Sequence, residues 1–158
     1  MTQEISYVVG DATTPQGAGP RIIAHVCNDA GGWGKGFVLP LARRWPQART
    51  VYKTWCRERE TSGFALGAVQ FVPVEDSLLV ANMIGQHGYR PSSVPPVRYE
   101  AISAALATVA DRALRLRASV HMPRIGCGLS GGRWELVEPL IVEQLTRCGV
   151  PVTVCYSA

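Results

Sequence analysis

Residues 21–37 read RIIAHVCNDAGGWGKGF, an apolar, β-rich run that passes directly into a glycine-dense segment. Arg21 to Cys27 predicts a strand and Asn28 to Gly36 a loop. Behind the glycines, Phe37, Val38, Leu41 and Trp45 recur at helical spacing, with Pro40 tolerated in a first turn and Pro46 ending the element. Residues 119–145 repeat this grammar. Ser119 to Pro123 is a short strand, Gly126 to Gly132 (GCGLSGG) a glycine loop, and Trp134, Val137, Ile141 and Leu145 mark the face of a helix. If the two strands run parallel, both loops lie at their carboxyl ends, on one rim of a sheet.

Working outward, Ile5 to Val9 is a strand that stops at Gly10-Asp11, and a second helix places Val51, Tyr52 and Trp55 on one face. Val69 to Val74 and Leu78 to Ile84 form two β runs separated by the polar turn Glu75-Asp76-Ser77. Gly85 to Pro96 is the longest irregular stretch, polar and with three prolines, and so a candidate for substrate contact. From Tyr99 through Ile102, Leu106, Val109, Ala113 and Leu116 the apolar positions step by three and four, the strongest helix signal in the chain. Pro139 falls in the first turn of the Trp134 helix or bends it. Pro151 to Tyr156 is the last strand. Strands and helices interleave and the strands are apolar on both faces, which predicts an α/β protein: a three-layer α/β/α sandwich with a mixed central sheet.

The 158 residues, 47% hydrophobic and 18% charged, suit one domain over 1–158. No apolar stretch approaches the ~20 residues needed to span a bilayer, and a soluble, cytoplasmic protein without membrane contact is expected. The five cysteines Cys27, Cys56, Cys127, Cys148 and Cys155 are odd in number and include no CxxC pair, and four stand in apolar surroundings. They predict buried free thiols, not disulfides or a zinc site, and no metal or other cofactor is implied. The net charge of +4 favours anionic partners without a basic run to argue for general nucleic-acid binding.

Glycines let backbone N–H groups approach an anion, and helix N-termini behind them supply unpaired donors, so two such loops can hold a diphosphate between them. Tight turns alone are the alternative. Gly31 to Phe37 fails as a Walker A loop, because Asp29 stands where its first glycine belongs and Gly36 where Ser or Thr should follow Lys35. Gly126 to Gly131 spells GxGxxG, yet only one strand follows it, which leaves no room for a dinucleotide half-fold.

With GDAT (10–13), HVCNDAGGWGKGF (25–37), MPRIGCGL (122–129) and the following Trp134-Glu135, the chain resembles a macrodomain. Within that family it is most similar to the branch of the terminal ADP-ribose protein glycohydrolase and the DNA ADP-ribosylglycohydrolase antitoxin. The resemblance runs over nearly the whole chain in the family's order of elements, and MPRIGCGL is its specific part. It implies an ADP-ribose site. Asp11, with Ala12 beside it, would take the adenine amino group, and Asn28 and Asp29 would face the distal ribose. The backbones of Gly34, Lys35, Gly36 and Phe37, and of Ile125, Gly126, Cys127, Gly128, Leu129, Ser130, Gly131 and Gly132, would wrap the diphosphate.

The glycohydrolase of that branch uses a lysine on the loop after the strand matching Leu78 to Ile84, and an aspartate directly after GCGL. This sequence has Gln86 or His87 at the first place and Ser130 at the second. A lysyl adduct would need Lys35 from the other loop. The remaining chemistry is attack by water, with Asp29 as base, His87 as proton relay, Asn28 as a further polar group and Lys35 as cationic helper.

Each assignment has a structural alternative: a turn or helix cap for Asp11, a solvated loop position for His87, and surface charges for Lys35 and Arg90. Arg90 otherwise meets a phosphate. Trp33 and Tyr156 stack on the ligand or pack in the core or rim, and His25 and His121 lie inside strands as structural residues. The leading expectation is a monomeric hydrolase that removes mono-ADP-ribose from Asp/Glu esters of modified protein, with ADP-ribosylated nucleic acid as another substrate. The alternatives are a hydrolase of O-acetyl-ADP-ribose or ADP-ribose 1''-phosphate, and a non-catalytic ADP-ribose reader.

Overall fold

A computed structural model describes residues 4–89 and 94–157. Six strands, β1 (Ser6–Val9), β2 (Arg21–Asn28), β3 (Val69–Glu75), β4 (Leu78–Gln86), β5 (Ser119–Met122) and β6 (Val152–Tyr156), make one sheet in the order β1-β6-β5-β2-β4-β3. All neighbours are parallel except β3 and β4, the expected hairpin. Ser77 turns it with φ 58°. Pro73, which has no N–H to give, is accommodated because β3 is an edge strand.

Side chains alternate across the central strands and divide the core in two. Ile22 and Ala24 of β2 and Ala81 and Met83 of β4 join Ile102, Leu106 and Val109 of α4 (Tyr99–Leu116) and Val137 and Ile141 of α5 (Trp134–Gln144). On the other face, Ile23 and Cys27 of β2 and Val80 and Ile84 of β4 join Leu41 of α1 (Val38–Arg44) and Ala48 and Tyr52 of α2 (Pro46–Arg57). The central strands β2 and β4 therefore bury both faces, giving the three layers read from the sequence. A short α3 (Arg59–Ser62) and two 3-10 turns, Gly128–Ser130 and Thr146–Cys148, complete the described elements.

The structure narrows two boundaries that the sequence reading left open, at Pro46 and Pro139, and moves a third. Pro46 is the first residue of α2 as well as the stop of α1, since its missing N–H costs nothing at a helix start. Pro139 is the sixth residue of α5, in the helix interior and not its first turn. Gly85 and Gln86 belong to β4 and not to the loop, because β4 bulges at Gly85, which has no partner in the register, and the pairing continues to Asn28 and Gln86. Of the five thiols, Cys27, Cys56 and Cys155 are buried, Cys127 is half-buried and Cys148 is exposed; all are free. Among the described residues no helix is long and apolar enough to cross a membrane.

Candidate active site on the carboxyl rim of the sheet

Because β1, β6, β5, β2 and β4 run the same way, the segments leaving their carboxyl ends meet on one rim. The loop after β2 is built around Asn28. Its Oδ1 accepts from the N–H groups of Ala30 and Gly32, both at 2.9 Å, and its Nδ2 donates to the Gly32 carbonyl at 3.0 Å. From below, the Tyr52 hydroxyl donates to the Asn28 carbonyl at 2.6 Å, Arg59 donates to the Asp29 carbonyl at 3.1 Å, and Lys53 Nζ reaches the Gly31 carbonyl. The carbonyls of the turn are thus occupied on the protein side. Among the described residues, the N–H groups of Gly34, Lys35 and Gly36 make no hydrogen bond, which leaves them available to an anion.

Asp29 is held in place by both carboxylate oxygens. Oδ2 lies 2.8 Å from His87 Nδ1, and Oδ1 accepts from the Gly88 N–H at 2.8 Å. The carboxylate side chain is 19% exposed and the imidazole 63%, so the pair stands at the mouth of the rim with its histidine outward. The backbone N–H of His87 donates to the Pro96 carbonyl at 2.8 Å, which ties the segment after β4 back on itself.

The second glycine loop joins the same assembly. Gln86 Oε1 accepts from the Ser130 hydroxyl, and the Ser130 carbonyl accepts from the Val97 N–H at 3.0 Å. Gly126, Gly128 and Gly131 have φ of 74°, 71° and 75°, which a side chain would strain. At Gly132 a Cβ would meet the Gly126 carbonyl oxygen at 2.1 Å, so the loop closes only with glycine there. Ile125 is buried beneath the loop and anchors it, while Gly128 faces open space.

At the β1 and β6 end, Asp11 Oδ1 accepts from both the N–H and the hydroxyl of Thr13 at 2.8 Å, so Asp11 does serve as a turn-maker, although it stays exposed. Ala12 is buried and can offer a ligand only its backbone. The Arg124 guanidinium lies 5.2 Å from the Tyr156 ring and 5.8 Å from that of Trp134, and half-buried Tyr156 stands at the rim.

The structure therefore brings Asn28, Asp29, Gln86, His87 and Ser130 into one bonded cluster. Asn28 uses Oδ1 and one Nδ2 hydrogen to shape its own loop. Lys35 is exposed, and no hydrogen bond or ion pair links it to Asp29 or His87. Trp33 is a core residue, buried and donating Nε1 to the Val38 carbonyl at 3.0 Å, so stacking on a ligand is excluded for it. His25 and His121 are buried in β2 and β5, and burial holds the His25 pKa down to about 4. Arg90 lies outside the described residues. Sequence reasoning missed Tyr52, Lys53 and Arg59 as supports of the loop; Tyr52 read only as a core face, and nothing local marks its hydroxyl.

No family model matches the chain. The solved structure of a macrodomain protein from Streptomyces coelicolor superposes with a TM-score of 0.88 and 61% identity, covering 98% of this chain and 100% of that one. A curated relative from Mus musculus, chromodomain-helicase-DNA-binding protein 1-like, is 32% identical over 96% of this chain, which spans only 18% of the relative's length. A Candida albicans protein named ADP-ribose 1''-phosphate phosphatase is 25% identical over 88% of this chain and 92% of its own. Relatives thus include a protein named for hydrolysis of an ADP-ribose derivative. The glycine loops, their order around the sheet and the full-length match to a solved member agree: the chain belongs to the macrodomain family.

Proposed function

We propose that the protein binds ADP-ribose across the carboxyl rim and hydrolyses mono-ADP-ribose from macromolecules, acting on Asp/Glu esters in modified protein, as a monomeric single domain in the cytoplasm. The observation that carries the catalytic part is the 2.8 Å contact between Asp29 Oδ2 and His87 Nδ1 on an otherwise glycine-lined rim. With Nδ1–H donated to the carboxylate, Nε2 bears the lone pair and points away from Asp29. A water molecule held there gives its proton to Nε2 while its oxygen bonds to the anomeric carbon of the distal ribose. The C–O bond to the ester oxygen breaks, and the leaving group departs as a carboxylate that needs no acid catalyst. The proton then passes from Nε2 to solvent. Asp29 orients the ring and stabilises the imidazolium that forms, a division of labour known from other carboxylate–histidine pairs. The free amides of Gly34 and Gly36 suit the diphosphate, and Lys35 adds positive charge.

The test is release of free ADP-ribose from protein modified on Glu/Asp, beside protein modified on Ser or Arg and beside ADP-ribosylated DNA. Release from the Glu/Asp linkage alone is expected. Release confined to another linkage moves the substrate, and ADP-ribose binding without any release makes the protein a reader. A second reading, hydrolysis of ADP-ribose 1''-phosphate, draws on the name of the Candida albicans relative and keeps the same attack with phosphate as leaving group. Phosphate release from that compound measures it directly.

A further inference from the structure

The charges of this chain are segregated. Between Ala30 and Arg57 there are six cations, Lys35, Arg43, Arg44, Arg49, Lys53 and Arg57, and no carboxylate. The rest of the chain holds ten cations against twelve carboxylates, so this one segment reverses the sign of the remainder. In the fold it supplies the first glycine loop and the layer of α1 and α2. None of the six forms an ion pair among the described residues.

Helix α2 arranges three of them in a row. Ala48, Tyr52 and Cys56 are its buried positions, and Arg49, Lys53 and Arg57, each one residue later, repeat every four residues and form the adjacent stripe. Arg49 and Arg57 are exposed. Lys53 connects the stripe to the site, because its ammonium sits on the Gly31 carbonyl of the loop that carries Asp29. Two carboxylates outside the segment make their hydrogen bonds elsewhere: Asp29 with His87 and the Gly88 N–H, and Glu75 with Trp45 Nε1 at 2.9 Å. Glu58 and Glu60 follow Arg57 and limit the stripe at that end.

We infer that this stripe docks the acidic polypeptide flanking a modified Asp or Glu, so that carboxylate-rich sequences are the preferred protein substrates. The inference rests on the proposed ester hydrolysis for its biological sense, and its physical content is the binding of an acidic peptide beside the Asp29 loop. Arg-rich surfaces suit carboxylates because the guanidinium fork takes them bidentately. Single-stranded nucleic acid, the other polyanion to consider, is recognised through exposed aromatic platforms among the cations. Here Trp33, Trp45 and Tyr52 of the same segment are buried, and half-buried Phe37 and Trp55 pack against His25 and Phe64, with Trp55 Nε1 donating to the Ser62 carbonyl at 3.0 Å.

The experiment compares two Glu-linked mono-ADP-ribosyl peptides, one flanked by Asp and Glu and one by Ser and Ala, in the wild type and in R49Q/R57Q. The expected result is a kcat/KM about tenfold higher for the acidic peptide at low ionic strength, lost in R49Q/R57Q and lost in added salt, with the neutral peptide unchanged. A second measurement does not depend on turnover: fluorescence anisotropy of the unmodified, labelled peptides. There the acidic peptide binds the wild type and not R49Q/R57Q. Equal handling of both peptides in both measurements overturns the inference, as does a preference that R49Q/R57Q retains. Binding of a single-stranded oligonucleotide in place of the acidic peptide overturns it in favour of nucleic acid. Failure of ester hydrolysis with acidic-peptide binding intact sinks only the proposed reaction.

Discussion

The Tyr52 hydroxyl, on a helix beneath the sheet's rim, donates to the main-chain carbonyl of Asn28 at 2.6 Å and fixes the first peptide of the ligand loop from the core side. Its ring is already packed by Trp33 at 5.2 Å and Phe64 at 5.9 Å, so removing the oxygen leaves the packing in place. Tyr52→Phe is expected to lower stability by about 1–3 kcal/mol, because the Asn28 carbonyl loses its buried partner. It is also expected to weaken ADP-ribose binding several-fold through a loosened loop. Urea unfolding and calorimetric titration with ADP-ribose check both numbers; unchanged affinity would remove Tyr52 from the list of supports.

Asp29→Ala and His87→Gln should separate chemistry from binding. Each is expected to reduce kcat for ester hydrolysis by about 100-fold or more while ADP-ribose affinity changes little, since a positioned general base contributes on that scale. Single-turnover kinetics with the Glu-linked substrate give the comparison. A variant lacking both groups should be no slower than either single variant, as for residues that act as one unit.

Two glycines predict opposite outcomes. Gly34 has an ordinary negative φ and nothing within 4 Å of a built Cβ, so Gly34→Leu should fold normally and lose ligand binding by obstructing the rim. At Gly132 the built Cβ falls 2.1 Å from the Gly126 carbonyl oxygen, so Gly132→Ala should distort the second loop and lower the melting temperature. Thermal unfolding with and without ADP-ribose distinguishes an intact, non-binding protein from a damaged one.

Acid should weaken the fold through His25. Desolvation lowers its pKa from 6.5 to about 4 in the folded protein. Between those values the unfolded chain takes up a proton that the folded one refuses, so stability is full above about pH 6.5 and is lost as pH falls toward 4. The loss amounts to about 3 kcal/mol at the lower end. His121, also pushed down by burial, acts in the same direction. Urea unfolding at pH 7 and pH 4.5 should show a smaller drop for His25→Gln than for the wild type.

The sheet was legible because apolar runs such as Arg21 to Cys27 and Leu78 to Ile84 are buried on both faces and bounded by glycine or polar turns. The glycine loops were legible as well, since each sits between a strand and an amphipathic helix. Individual side chains at the site were less so. Asn28 has the composition of a ribose ligand, but its three bonds to Ala30 and Gly32 depend on a turn that no spacing rule specifies. Trp33 lies in a run of glycines and its sequence leaves ligand stacking and core packing open; its indole packs against the His25 ring at 5.6 Å in the core. The meeting of Asp29 with His87 across 58 residues of sequence follows from the Asn28 and Gln86 pairing, which a bulge sets and periodicity does not reveal.

The strand order has a consequence for how the molecule is made. Among the described residues the first strand, Ser6–Val9, pairs with no strand but Val152–Tyr156, which inserts between it and Ser119–Met122. A nascent chain leaving the ribosome therefore carries Ser6–Val9 without a hydrogen-bonding partner until nearly 150 further residues have been translated. Cotranslational folding can assemble Arg21–Asn28 with the Val69–Gln86 hairpin early, whereas the Asp11 turn is held against Tyr156 only after residue 156 emerges. Ligand-binding competence should thus appear late and all at once during synthesis, and chains stalled before Val152 should expose the Ser119–Met122 edge to chaperones.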